Sequence, residues 1–150
     1  MQSQIERNEQ ISQQKKRLVM VASKGTADTL YPALILATTA VAQSMPVDIY
    51  FTFGGMKLVT KGQADNIKPS ADLGISPEHL KDLLSKGGMP SLTDMLKMAK
   101  EAGVHIHACS PTMSLYGMTK EQISEVCDDV IGAATFLQMA ADPNAITLFI

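Results

Sequence analysis

The 150-residue chain has no tryptophan and only two cysteines, and Phe, Trp and Tyr together make up 5% of it. Two cysteines do not build a disulfide scaffold, and neither stands in the paired spacing that zinc ligands require. No apolar run is long enough to span a bilayer, and no secretory apolar segment follows the first residues. Charge of one sign is missing as well: 13 Lys and Arg stand against 15 Asp and Glu, a net charge of −2. That balance excludes the electrostatic footprint of a nucleic-acid binder or of an anionic-membrane binder. The expectation is a soluble protein in a reducing cytoplasm, with no metal, no cofactor and no integral membrane segment. What is present is enough for a core, since 45% of residues are apolar and 19% are charged. Ten methionines suit flexible packing and self-association better than chemistry.

Residues 1–17 are polar and Gln-rich, with Ile5 and Ile11 as apolar anchors and Lys15-Lys16-Arg17 at the end. They read as an N-terminal tail or exposed helix ahead of an α/β domain over 18–150. Leu18–Ala22 is a short continuous apolar run, as expected of a parallel strand buried on both faces. Residues 27–44 carry apolar positions at helical spacing, and 47–53 is a second strand rich in β-formers. The stretch 56–75 is irregular: Met56–Val59 suits one helical turn, and 61–74 has the breakers of a mobile loop. Ser76-Pro77-Glu78 opens a helix to about Lys86, and Ser91 with Asp94 opens another that Gly103 stops. Residues 104–109 form the third strand. Thr119 with Gln122 predicts a helix around 120–126, while 126–131 suits either its continuation or a short strand. Residues 132–141 form a last helix and 145–150 a last strand. Alternating strands and helices imply a flavodoxin-like three-layer α/β sandwich of about five mainly parallel strands.

Ligands of such sheets bind beyond the carboxyl ends of the strands. The first strand delivers Ser23, Lys24 and Gly25 there, the second Gly54, Gly55 and Lys57, the third Cys109 and Ser110. In a 2-1-3 strand order Lys24 lies near Cys109. A cation or helix N-terminus beside a thiol lowers its pKa and makes it nucleophilic. Ser110-Pro111 turns the chain and exposes the residue before it. Cys109 is therefore the candidate nucleophile, with Lys24 and Lys57 stabilising thiolate and bound anion. Gly25, Gly54, Gly55 and Ser110 complete the binding rim. The competing reading places Cys109 in the core, where free cysteine is common. Cys127 shares a helical face with Ile123, Val126 and Val130 if the helix continues, which favours packing over a second functional thiol. His107 is two residues, roughly 6.6 Å, from Cys109 along the strand. It is placed either to tune the thiol or to sit as a hydrogen-bonded buried histidine; His79 lies on a surface turn. Ser23-Lys24-Gly25-Thr26 lacks the GxxxxGK phosphate-loop spacing, so an anion there rests on helix-terminus chemistry alone. No paired carboxylates, HExxH or GxSxG motif occurs, so the common hydrolase templates fail.

With Cys109 at a strand end, the chain resembles the DsrE/DsrF-like sulfur-relay family, in particular its stand-alone DsrE-type sulfurtransferases. The segments that carry the resemblance are SKGTADTLYPALILATTA (23–40), VDIYFTFGGMKLV (47–59), LTDMLKMAKEAGVHIHACSPTMSLYGMTKEQI (92–123) and GAATFLQMA (132–140). The resemblance implies a flavodoxin-like fold, a cytoplasmic homo-oligomer and a cysteine that holds sulfane sulfur as a persulfide or thiosulfate as an S-thiosulfonate. Carried over, that cysteine is Cys109. It also implies partners among TusA-like carriers, rhodanese-like proteins and sulfur-oxidation enzymes. Some relatives use a second cysteine, for which Cys127 is the candidate. The alternative is a non-catalytic assembly or small-anion/nucleotide-binding subunit that uses the same crevice. Flavin binding rests on fold analogy alone.

Overall fold

A computed structural model describes residues 3–7 and 15–150. Of the expected polar tail, residues 1–2 and 8–14, Ile11 among them, lie outside the described residues; residues 4–7 form one helical turn. The elements run β1 (Arg17–Ala22), α1 (Ala27–Ala42), β2 (Val47–Phe51), a 3-10 segment (Phe53–Val59), α2 (Pro77–Lys86), α3 (Leu92–Ala102), β3 (His105–Cys109), α4 (Ser110–Tyr116), β4 (Asp129–Ile131), α5 (Ala133–Ala140) and β5 (Ala145–Phe149). The five strands form one sheet in the order β4-β3-β2-β1-β5. Every pairing is parallel. The fold is the flavodoxin-like α/β sandwich that the alternation implied.

The strand order corrects one expectation. β1 and β3 are not neighbours, because β2 lies between them and pairs with both. The chain steps outward from β1 to β4, then crosses the whole sheet to place β5 on the other side of β1. Cys109 therefore ends a strand beside β2, and Lys24 is two strands away.

The core lies between the sheet and its helices. On one face Leu30, Leu34 and Ala37 of α1 and Leu92, Met95, Leu96 and Ala99 of α3 are buried, in the spacing of an apolar helical stripe. On the other face Phe136 of α5 stacks on Tyr50 of β2, with ring centroids 5.1 Å apart. The sequence caps hold. Ser76 Oγ accepts from His79 N–H, Ser91 Oγ accepts from Asp94 N–H, and Gly103 closes α3 in the left-handed region.

Two segments depart from expectation. Lys120–Gln122 is a single 3-10 turn. The chain there pairs with the end of the first 3-10 segment: Lys61 N–H bonds Gln122 O and Ser124 N–H bonds Val59 O. Those bonds take the backbone groups that a helix over 120–126 would use, and 129–131 becomes a strand. The stretch 61–74 is tied down rather than loose. It holds two 3-10 turns, Ala27 N–H bonds Lys68 O, and the Asp28 carboxylate takes both N–H and Oγ–H of Ser70 at 2.7 Å.

Gly55 shows how closely the strand ends approach. A Cβ built there would stand 2.0 Å from the Ala22 carbonyl oxygen, so only a residue without a side chain fits. We expect Gly55→Ala to destabilise the fold by about 3 kcal/mol, the upper range of overpacking, read as a lowered urea midpoint. An unchanged midpoint would show that the β1 and β2 ends can part at little cost.

Candidate active site around Cys109

β3 delivers three side chains to one face of the sheet by strand alternation: His105, His107 and Cys109. β2 delivers Asp48 and Tyr50 to the same face, because Tyr50 registers with His107. The two strands thus set two polar layers side by side.

The outer layer surrounds the thiol. Tyr50 Oη donates to Cys109 Sγ at 3.0 Å. Cys109 is the N-cap of α4, and its sulfur accepts the Thr112 N–H at 3.4 Å. Thr112 is fully buried; its Oγ1 lies 3.1 Å from Thr52 Oγ1 and accepts the Phe53 N–H at 3.1 Å. Burial pushes the Cys109 thiol pKa up, but the hydrogen bonds from Thr112, Thr52 and Tyr50 outweigh it and hold the thiol below its ordinary value. The same sulfur and burial push the Tyr50 phenol up, burial being the larger cause. Tyr50 therefore stays a donor across the physiological range.

The inner layer is ionic. Asp48 takes Arg17 Nη2 at 2.6 Å and His107 Nε2 at 2.8 Å. The other ring nitrogen of His107, Nδ1, lies 2.5 Å from Asp129 Oδ1. Burial disfavours the charged His107, but Asp48 and Asp129 reverse this and raise its pKa. Burial likewise raises Asp48, and His107 and Arg17 more than reverse it.

Of the residues singled out by sequence, the structure gathers some and separates others. Cys109 is at the expected strand end but only 3% exposed, so the Ser110-Pro111 step does not expose it. Pro111 instead lies in the first turn of α4, where its missing N–H costs nothing. Lys24 and Lys57 are both solvent-exposed, and the groups that lower the thiol pKa are neutral donors, not lysines. Gly25 and Gly54 meet each other: a Cβ on Gly25 would stand 2.3 Å from Gly54 O and 2.9 Å from the Lys57 side chain. Gly55 meets Ala22. The close approach these glycines permit is between segments of the protein's own backbone. Ser110 is half-buried on α4. His107 has both ring nitrogens engaged by carboxylates, the hydrogen-bonded alternative rather than a base for the thiol. Cys127 lies in no helix, is half-buried and packs against the core. Burial, and secondarily Asp128, pushes its pKa up to about 12. Among the described residues no three His, Cys, Asp or Glu side chains are placed to hold a metal. None of their helices is long and apolar enough to cross a membrane.

Sequence reasoning missed Tyr50, Thr52, Thr112, Asp48 and Asp129. A signal existed for Asp48: an acid inside the apolar run VDIYF needs a buried partner, and His107 in the next apolar strand is one.

The flavodoxin-like sheet that carries this thiol is shared with known proteins. The sequence matches the model of the DsrE/DsrF/DrsH-like family over residues 14–73 and 66–149, and the chain belongs to that family. It is 28% identical to the sulfur carrier protein DsrE2 of Allochromatium vinosum, over 87% of this chain and 96% of that one. It is also 28% identical to the uncharacterized protein YrkE of Bacillus subtilis, over 93% and 100%. A protein of unknown function from Methanobacterium thermoautotrophicum has the same fold at TM-score 0.64 and 12% identity, covering 91% of this chain and all of its own. The ychN protein of E. coli matches at TM-score 0.64 and 14% identity, over 90% and 99%. At those identities the structural likeness speaks for the fold alone.

The two layers predict different phenotypes. Tyr50→Phe removes one donor to the sulfur. We expect alkylation of Cys109 at pH 7 to slow roughly three- to tenfold and its pH profile to move upward; an unmoved profile would exclude Tyr50 from tuning the thiol. His107→Gln breaks the ionic row, with an expected loss of about 3 kcal/mol in urea unfolding at pH 6. The folded pKa of His107 is raised, so its stabilisation is complete below about 6.5 and is lost as pH climbs through the raised value. The gap between wild type and His107→Gln should therefore narrow in alkali. A gap that widens there would contradict the buried imidazolium.

Proposed function

We propose that this protein is a sulfur-relay protein that holds a sulfane sulfur or thiosulfate covalently on Cys109 and passes it to an acceptor thiol. The observation that carries the reading is the pair of hydrogen bonds on Cys109 Sγ, from Tyr50 Oη and Thr112 N–H, in a chain related to a sulfur carrier. The thiolate attacks the sulfane sulfur of a donor, a bond from Sγ to that sulfur forms, and the donor's leaving group departs with the electron pair. An acceptor thiolate then attacks the outer sulfur and returns Cys109 as thiolate. The hydrogen bonds that favour the thiolate ion also make Cys109 the better leaving group in the second step. TusA-like and rhodanese-like carriers and sulfur-oxidation enzymes are the partners this reading names, with a cytoplasmic homo-oligomer as the working form. Cys127 stays protonated at neutral pH and takes no part in the transfer.

The burial of Cys109 favours the competing reading, an assembly or small-anion-binding subunit in which this thiol is core. Two measurements separate them. Intact mass after polysulfide or tetrathionate treatment should show sulfur adducts on wild type and none on Cys109→Ser; identical adducts on both would defeat the relay. In a thiol titration at pH 7, Cys109 should react well ahead of Cys127; equal slowness would favour the subunit.

A further inference from the structure

The Thr112 N–H reaches Cys109 Sγ from three residues along the chain, so the backbone of α4 holds that bond in place. The Tyr50 phenol reaches the same sulfur at 3.0 Å from β2, at the end of a ring that the backbone alone does not aim. Within the sheet Tyr50 stands beside Val21 of β1 and His107 of β3. The ring contact from outside the sheet comes from half-buried Phe136 of α5, with centroids 5.1 Å apart and planes 19° from parallel, a stacked arrangement that aromatic pairs favour. α5 lies on the crossover that takes the chain from β4 at one edge of the sheet to β5 at the other. None of its eight residues is buried. Phe136 and Met139 pack half-buried against the core, and Leu137 between them in sequence is 63% exposed. An element with so little buried apolar surface is weakly held, and Phe136 is its contact with the phenol.

We propose that Phe136 positions the Tyr50 phenol and thereby sets how readily Cys109 ionises. The proposal deepens the reading of Cys109 as the sulfur-carrying thiol, and it rests on that reading for its bearing on transfer. A hydrogen bond weakens steeply as the donor swings out of line with its acceptor, so a Tyr50 ring free to tilt gives the thiolate less. The Phe136 ring opposes that tilt and keeps the phenol hydrogen on the sulfur. A phenyl ring brings neither a charge nor a hydrogen-bond donor of its own, so its effect on the thiolate passes through Tyr50. The line of contact runs from α5 through Phe136 and Tyr50 to Sγ. The seating of the least buried helix over this face is in this way read at the thiol.

The test titrates Cys109 by the ultraviolet absorbance of its thiolate, taken as the difference from a Cys109→Ser partner of each variant. No reagent then has to reach a thiol that is 3% exposed. Cys127, pushed up to about 12, cancels in the difference. Phe136→Leu should move the midpoint upward by about half a unit, the lower range of what an aromatic pair contributes. Phe136→Tyr, which keeps a ring on the phenol, should leave it in place. In a Tyr50→Phe background, where the donor is already gone, Phe136→Leu should add nothing. A midpoint unmoved by Phe136→Leu in the folded variant overturns the proposal, and so does an equal movement with and without the Tyr50 hydroxyl. Phe136→Met is read in the same way should Phe136→Leu fail to fold. If the midpoint moves as expected but polysulfide leaves no adduct on Cys109, the coupling stands and the relay reading fails.

Discussion

The row Arg17–Asp48–His107–Asp129 is the constraint on which the candidate site depends. It crosses four adjacent strands, one side chain from each. Asp48 and His107 are buried, and a buried charge is tolerable only when paired and hydrogen-bonded. Each satisfies the other, and each has a second partner of opposite sign. This pairing is compatible with one register of β2 on β3. A slip of one residue would turn Asp48 to the opposite face, unpair Arg17 from it and leave His107 with Asp129 as the one carboxylate of the row still beside it. The register so fixed also brings Tyr50 beneath Cys109. The ionic row does not touch the sulfur; it determines which side chain does.

Two cysteines of one chain show how the environment decides reactivity. Both are partly or wholly buried, and burial alone raises a thiol pKa. At Cys127 only the charge of Lys100 opposes it, and Asp128 and Asp129 add to it, so the thiol rises to about 12. At Cys109 hydroxyl and amide donors from Tyr50, Thr52 and Thr112 reverse the sign. Neutral donors do this without bringing a charge into the site. The anion they favour is therefore less sensitive to salt than one held by exposed lysines.

Local signals were legible in the sequence, and non-local ones were not. Strands β1, β2 and β3 announce themselves as apolar runs, and the caps Ser76, Ser91 and Gly103 mark helix ends through bonds within four residues. Cys109 stood out because it ends an apolar strand ahead of Ser-Pro. The strand order did not, since order is set by how helices cover the finished sheet, and β2 went between the two strands expected to be neighbours. Tyr50 hid among the β-formers of VDIYF, and Thr112 hid in the short helix α4 behind Ser-Pro. The Thr119–Gln122 pair carried a genuine helix-start signal, yet the chain turned away because Val59 and Lys61 offered sheet-like backbone partners instead. Tertiary pairing overrode a local propensity worth only tenths of a kcal/mol per residue, roughly.

The burial of Cys109 bears on the relay in a way that exposure would not. A sulfur atom bonded to Sγ would extend the group by about 2 Å, and under the proposed relay that outer atom is the one an acceptor has to reach. The thiol itself sits among buried side chains: Thr112 is fully buried and Tyr50 is 7% exposed. The left-handed backbone at Phe53 is held by the same Thr112, whose Oγ1 accepts the Phe53 N–H. One buried threonine thus ties the sulfur to the exposed Phe53 through two hydrogen bonds, so a change at Thr112 reaches both.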